Sequence, residues 1–250
     1  MDTQAMRKAQ GQLYIQYQAR LPPRSSLFQW PENLDLLAAQ GGLDAVLFSD
    51  KEVYPSNVEY DRAFLKQLVK RIDEAIETCT DKQAAFLRTE KQDLAVDDAI
   101  LERYMRLVSI PDTPSIIGTR VPTPFYVHHY FPVSTARNHH HILGPCESVT
   151  LRQQGTAISQ GTTGLTTWEA SLRLAAHVVV SPHIWQRNNT CILELGSGTG
   201  FLGLVCARLI DTMPHTDAQL YLTDLEGQVL DRLHETAKLS TSTLCYLQVR

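Results

Sequence analysis

Residues 193–204 read LELGSGTGFLGL. An apolar strand runs into three glycines at alternate positions, Gly196, Gly198 and Gly200, and an apolar helix follows. Glycine carries no side chain, so backbone and ligand can come close. The helix start adds unpaired N–H groups and the positive end of a dipole. In an open α/β sheet, ligands bind at this carboxyl edge of the strands. The stretch QLYLTD, residues 219–224, reads as the next strand and ends in Asp224. That carboxylate can accept hydrogen bonds from both hydroxyls of a ribose, so a nucleoside ligand is expected.

Two nucleoside ligands compete for the turn. A nicotinamide or flavin dinucleotide asks for G-x-G-x-x-G, whose third glycine lets helix and strand pack closely. Counting from Gly196, that glycine should be residue 201, which is Phe201. S-adenosylmethionine instead goes with an acid, any residue, then G-x-G-x-G, and Glu194, Gly196, Gly198 and Gly200 have that form. Its ammonium suits a carboxylate, its own carboxylate suits the helix start, and it has no pyrophosphate to cradle. The plain alternative is a tight strand-to-helix turn with no ligand.

Around the turn, residues 147–250 alternate strand and helix, which predicts a parallel sheet with crossover helices. SVTLRQQGTAISQG reads as two short strands joined at 153–155. TTWEASLRLAAHVVVSP reads as a helix with a capping box of Thr166 and Glu169, stopped by Pro182. Residues 109–146 hold six prolines and five histidines, and the expectation is a long loop or linker. No cysteine or carboxylate stands at ligand spacing among those histidines, so a polar loop is favoured over a zinc site and no metal is expected.

Residues 1–108 read as a mainly helical domain. Its clearest helix follows Ser56 and Glu59, spaced as a capping box, with Phe64, Leu65, Leu68, Val69, Ile72, Ala75 and Ile76 on one face. A second is expected over 91–107, and a weaker one around 13–21.

The chain has 250 residues, 43% hydrophobic and 20% charged, with a net charge of -4. Nothing there calls for a nucleic acid or a membrane as partner. The start of the chain is not a secretory signal. Five scattered cysteines fit a reducing compartment, and Cys191 and Cys206 read as buried hydrophobes.

The stretches SVTL, TTGLTTW and LELGSGTG resemble the seven-β-strand protein-lysine methyltransferases, those of the elongation factor 2 type most of all. FQWPENLDLL and YPSNVEYDRAFLKQLVKRI are similar, more loosely, to the extra helical domain those enzymes carry. The resemblance implies an α/β Rossmann-like methyltransferase fold behind a helical domain, S-adenosylmethionine as cofactor, elongation factor 2 as protein substrate, and a cytoplasmic address. It implies that Gly196, Ser197 and Gly198 line the methionine part, that Asp224 holds the ribose and that Trp168 sits against the cofactor, although core packing is the plain reading of Trp168. It assigns no catalytic residue here. The family's later strands have no counterpart before Arg250, so the expectation is a partial catalytic domain. Such a chain alone should bind the cofactor weakly or not at all and transfer no methyl group, or act at most as a protein-binding module.

Overall fold

The computed structural model describes residues 3–48, 57–87, 91–111, 124–136, 138–153, 164–181, 183, 189–213, 217–240 and 247–250. The chain divides into two compact units, Met1–Thr119 and Arg120–Arg250.

The first unit is helical: α1 (Thr3–Gln18), α2 (Asn33–Ala39), α3 (Leu43–Leu47), α4 (Val58–Thr78), α5 (Asp81–Phe86), a short 3-10 turn (Lys91–Asp93) and α6 (Asp98–Ser109). The apolar stripe of α4 behaves as its spacing predicts: Phe64, Leu65, Leu68, Ile72 and Ala75 are buried. They meet Leu13 and Tyr17 of α1 and Leu36 of α2 in one core. Ser56 lies outside the described residues. The first turn of α4 is capped by Asn57, whose side chain accepts from the Tyr60 N–H at 3.0 Å. The helix expected over 91–107 starts later, at Asp98, where the Asp97 side chain accepts from the Ala99 N–H.

A buried ionic group ties α1 to α4. Asp61 accepts from the Tyr17 hydroxyl at 2.7 Å and from the Arg20 guanidinium at 2.8 Å. That guanidinium lies 4.7 Å from the Tyr17 ring centroid and 5.1 Å from that of Tyr60. A charge this deep is tolerated because its partner sits beside it and aromatic faces surround it.

The second unit holds two sheets. β1 (Phe125–Pro132), β2 (His139–His140) and β3 (Gly144–Gln153) form an antiparallel sheet in the order β1-β3-β2. This corrects the loop expected over 109–146. Pro124 and Pro132 bracket β1 rather than interrupt it, a position strands tolerate. Between them Val127 and Phe131 point into the core on alternate residues, with His129 between them on the same face. β3 is one continuous strand to Gln153, and residues 154–163, where a second strand was expected, lie outside the described residues.

Then come α7 (Glu169–Val180), β4 (Cys191–Leu195), α8 (Phe201–Asp211), β5 (Gln219–Thr223), α9 (Gln228–Ser240) and β6 (Leu247–Val249). β4, β5 and β6 pair in parallel in that order, as the alternation predicts. The α7 capping box does not form: Trp168 is the N-cap residue and Glu169 the first helical one. Pro182 is outside the described residues, and the helix ends at Val180 before it.

Helix α8 is buried along nearly its whole length and shares one core with Val149 and Leu151 of β3 and Leu220 and Leu222 of β5. The sheet face toward α8 carries Ile192 and Glu194 beside Leu220 and Leu222. The other face of β4 carries Cys191, Leu193 and Leu195, with Leu193 59% and Leu195 76% exposed. Cys191 is therefore exposed, against expectation, while Cys206 is buried. Among the described residues β4 is an edge strand.

Candidate functional site

The link from β4 to α8 is a backbone built for glycine. Gly196, Gly198 and Gly200 have φ of +66°, +54° and +79°, the left-handed region that side chains disfavour. A Cβ on Gly200 would come within 2.4 Å of Leu233 Cδ1 on α9, so packing as well as conformation excludes one. A Cβ on Gly196 would meet nothing within 4 Å, so this end of the turn is open to a ligand. The Ser197 N–H donates to the Thr223 carbonyl at 2.9 Å, and the Gly200 N–H to the Ser197 carbonyl at 2.8 Å. The Glu194 carbonyl accepts from the Thr223 and Ser197 hydroxyls at 3.0 and 3.3 Å. The turn is thus laced to the end of β5.

Asp224 stands at that end, where the sequence puts it. One carboxylate oxygen accepts from the Gly198 N–H at 2.7 Å and the other from the Leu225 N–H at 2.8 Å. An ionised carboxylate has about four acceptor sites, so two remain for the hydroxyls of a sugar. The side chain fixes the turn and keeps capacity for a ligand.

The segment before α7 lies over the turn. The Gly164 carbonyl would be 3.3 Å from a Cβ on Gly198. Gln153 donates to the Thr167 hydroxyl at 2.7 Å, and Thr167 and Thr199 share a hydrogen bond of 2.8 Å. This chain runs from β3 through the α7 entry to the turn itself. Trp168 follows Thr167 directly and is 56% exposed, so the core-packing reading of this tryptophan does not hold. Leu225 beside Asp224 is also exposed. Exposed apolar groups at the rim of a polar turn suit the flat face of a base.

Glu194 is where sequence and geometry part. Strand alternation turns its side chain toward α8, away from the exposed face of β4. A Cβ on Gly203 would sit 2.7 Å from Oε2, so the carboxyl lies against the first turn of the helix. Oε2 is buried without a hydrogen-bond partner. Burial pushes the carboxyl up to about 7, while the Gly203 backbone N–H and the Ser197 hydroxyl pull the other way and the Asp224 charge adds a smaller upward push. Cys206, one helical turn further on, is pushed up to about 12 by burial and by Glu194.

Thr167, Thr199, Gly164 and Leu225 escaped the sequence reading. Thr167 obeys no spacing rule, and only the closure of the fold brings it onto the turn. Among the described residues no group of three or more His, Cys, Asp or Glu is placed to hold a metal ion. A cavity of about 210 Å³ in the helical unit, lined by Leu37, Ala75, Thr78 and Cys79, gathers no acid, base or anion cradle. The glycine turn does gather polar groups.

Residues 147–244 match the family described as lysine methyltransferase. The match takes in the glycine turn and Asp224 but covers less than half of the chain. The protein-lysine N-methyltransferase EEF2KMT of Homo sapiens is 33% identical over 111 residues, covering 44% of this chain and 32% of that protein. The Bos taurus protein of the same name is 26% identical over 191 residues, covering 76% of this chain and 43% of its own length. The protein-lysine N-methyltransferase EFM3 of Chaetomium thermophilum is 28% identical over 179 residues, covering 70% and 45%. The chain thus matches from 32% to 45% of the length of these curated relatives. The two longer matches exceed the 98 residues of the methyltransferase segment, so similarity extends beyond it.

Proposed function

We propose that the chain is a protein-lysine N-methyltransferase that takes S-adenosylmethionine at the glycine turn and acts on elongation factor 2 in the cytoplasm. The observation that carries the reading is the pairing of the Asp224 carboxylate with the Gly198 N–H at 2.7 Å, inside the stretch that matches lysine methyltransferases. A carboxylate with spare acceptor capacity beside an open, glycine-built backbone supports the reading. When bound, S-adenosylmethionine would supply an electrophilic methyl group on a sulfonium.

Each residue of the turn has a part in holding it. Asp224 would take the ribose hydroxyls. The backbone of Gly196, Ser197 and Gly198 would face the methionine part, with the dipole of α8 favouring its carboxylate. Leu225 and Trp168 would cover its apolar surface. The protein substrate must present a neutral lysine amine, although its reference pKa is about 10.4, so desolvation at the site has to favour that form. The choice of elongation factor 2 draws on the name EEF2KMT of the relatives.

Calorimetric titration of S-adenosylmethionine and of NAD, side by side, tests the cofactor. Binding of the first alone is expected, and binding of NAD in its place overturns the reading. A non-catalytic protein-binding module takes up neither. Labelling of elongation factor 2 with a radioactive methyl donor, followed by analysis for methyl-lysine, tests the substrate.

A further inference from the structure

Helix α8 begins without the usual cap. Its N-cap residue is Gly200, which has no side chain to accept from the first-turn N–H groups. The intrahelical ladder starts only at the Leu204 N–H, which donates to the Gly200 carbonyl at 2.9 Å. The N–H groups of residues 201–203 need acceptors from elsewhere. A glycine is required at 200 by its φ and by Leu233, so the cap cannot come from that position.

The Glu194 carboxyl lies beside the place such an acceptor would take: the Gly203 N–H acts on it electrostatically, while Oε2 itself has no hydrogen-bond partner. The side chain projects from the end of β4, just before the glycines, and lies against Gly203, the third residue of the helix. It is on the α8 side of the sheet, whereas the open end of the turn at Gly196 faces free space. The titratable groups that face it are Cys206 on α8 and Asp224 at the end of β5. Its neighbours on β5, Leu220 and Leu222, carry no charge.

We propose that Glu194 is a positioning residue whose carboxyl caps α8 from beneath the glycine turn, fixing the ligand-facing backbone from the far side instead of pairing with the ammonium of the ligand. This deepens the methyl-donor reading and rests on it only for the name of the ligand. Its chemical reason is economy of geometry. A turn that must be side-chain-free toward the ligand takes its helix cap from the strand that precedes it.

The test is an NMR titration of the ligand-free chain from about pH 5 to about pH 8.5, following the Gly203 amide. An inflection near 7 is expected in the wild type, and none in Glu194→Gln, whose amide keeps the cap without titrating. Exchange of the Gly203 amide should stay slow in Glu194→Gln and quicken about fivefold or more in Glu194→Leu, which has no acceptor. A Gly203 amide that ignores pH, or exchange that is equally slow in Glu194→Leu, overturns the proposal. The titration is then repeated with S-adenosylmethionine. A cap shifts its inflection by less than about one pH unit, whereas direct pairing with the ammonium draws it back toward the ordinary carboxyl range and overturns the proposal. If no resonance responds to S-adenosylmethionine, the methyl-donor reading fails, and the ligand-free titration still decides the cap.

Discussion

Replacing Glu194 by glutamine is expected to make stability climb more steeply with pH between about 4.5 and 7. In the folded chain Glu194 titrates at about 7, against an ordinary 4.5. The folded state therefore keeps a proton that the unfolded state has released, and stability falls as pH rises from 4.5 to 7. At about 1.4 kcal/mol per pH unit, that gap is worth about 3 kcal/mol. His129 works in the other direction. Its ring lies 4.6 Å from that of Phe201, and burial, with a smaller contribution from His128, lowers it from 6.5 to about 4. Here the unfolded state takes the proton first, so stability falls as pH drops from 6.5 to 4, again by about 3 kcal/mol. Between pH 4.5 and 6.5 the two slopes oppose each other and nearly cancel. Glu194→Gln removes one of them. Urea unfolding of the variant, followed by near-ultraviolet circular dichroism, should show stability climbing by about 3 kcal/mol from pH 4 to pH 6.5. His129→Phe should show the mirror image, a fall toward neutral pH. Parallel wild-type and Glu194→Gln profiles would refute the burial argument for Glu194, and parallel wild-type and His129→Phe profiles that for His129.

Three further outcomes follow from the packing. Gly203→Ala should destabilise by about 1–2 kcal/mol in urea, although helix propensity alone predicts a gain of about 1 kcal/mol, because overpacking costs about 1–3 kcal/mol. The added Cβ would lie 2.1 Å from Leu222 Cδ2, and the Leu222→Ala background should remove most of that penalty. Asp61→Ala leaves the Arg20 charge buried without its partner and should cost about 3–5 kcal/mol, read from urea unfolding of the helical unit. Asp224→Ala removes the acceptor of the Gly198 N–H and should weaken S-adenosylmethionine binding by about tenfold or more in calorimetry.

Much of the site could be read from spacing, and the rest depends on which way side chains turn. The parallel pairing of β4 with β5, the glycine turn and the place of Asp224 all follow from a strand–turn–helix pattern that is local in the chain. Glu194 was legible as an acid before glycines, but its direction is set by strand alternation relative to a helix that comes later. The Pro-rich stretch reads as loop because proline breaks regular elements, whereas Pro124 and Pro132 mark the two ends of β1. Cys191 misled in the opposite way. Its apolar neighbours suggest burial, yet it lies on the face of β4 that α8 does not cover. The Thr167–Thr199 bond joins residues 32 positions apart, a pairing no local rule announces.

The ladder between β1 and β3 bears on how the domain can be cut. The family match begins at Glu147, midway along β3, whose partner residues on β1 run from Phe125 to Pro132. Any excision or graft made at that point severs a strand and strips Val149 and Leu151 of their neighbour Val127. It also undermines Gln153, whose amide anchors Thr167 and through it the turn at Thr199. A self-standing unit cut from this chain would have to start upstream of Phe125, more than twenty residues before the family match begins.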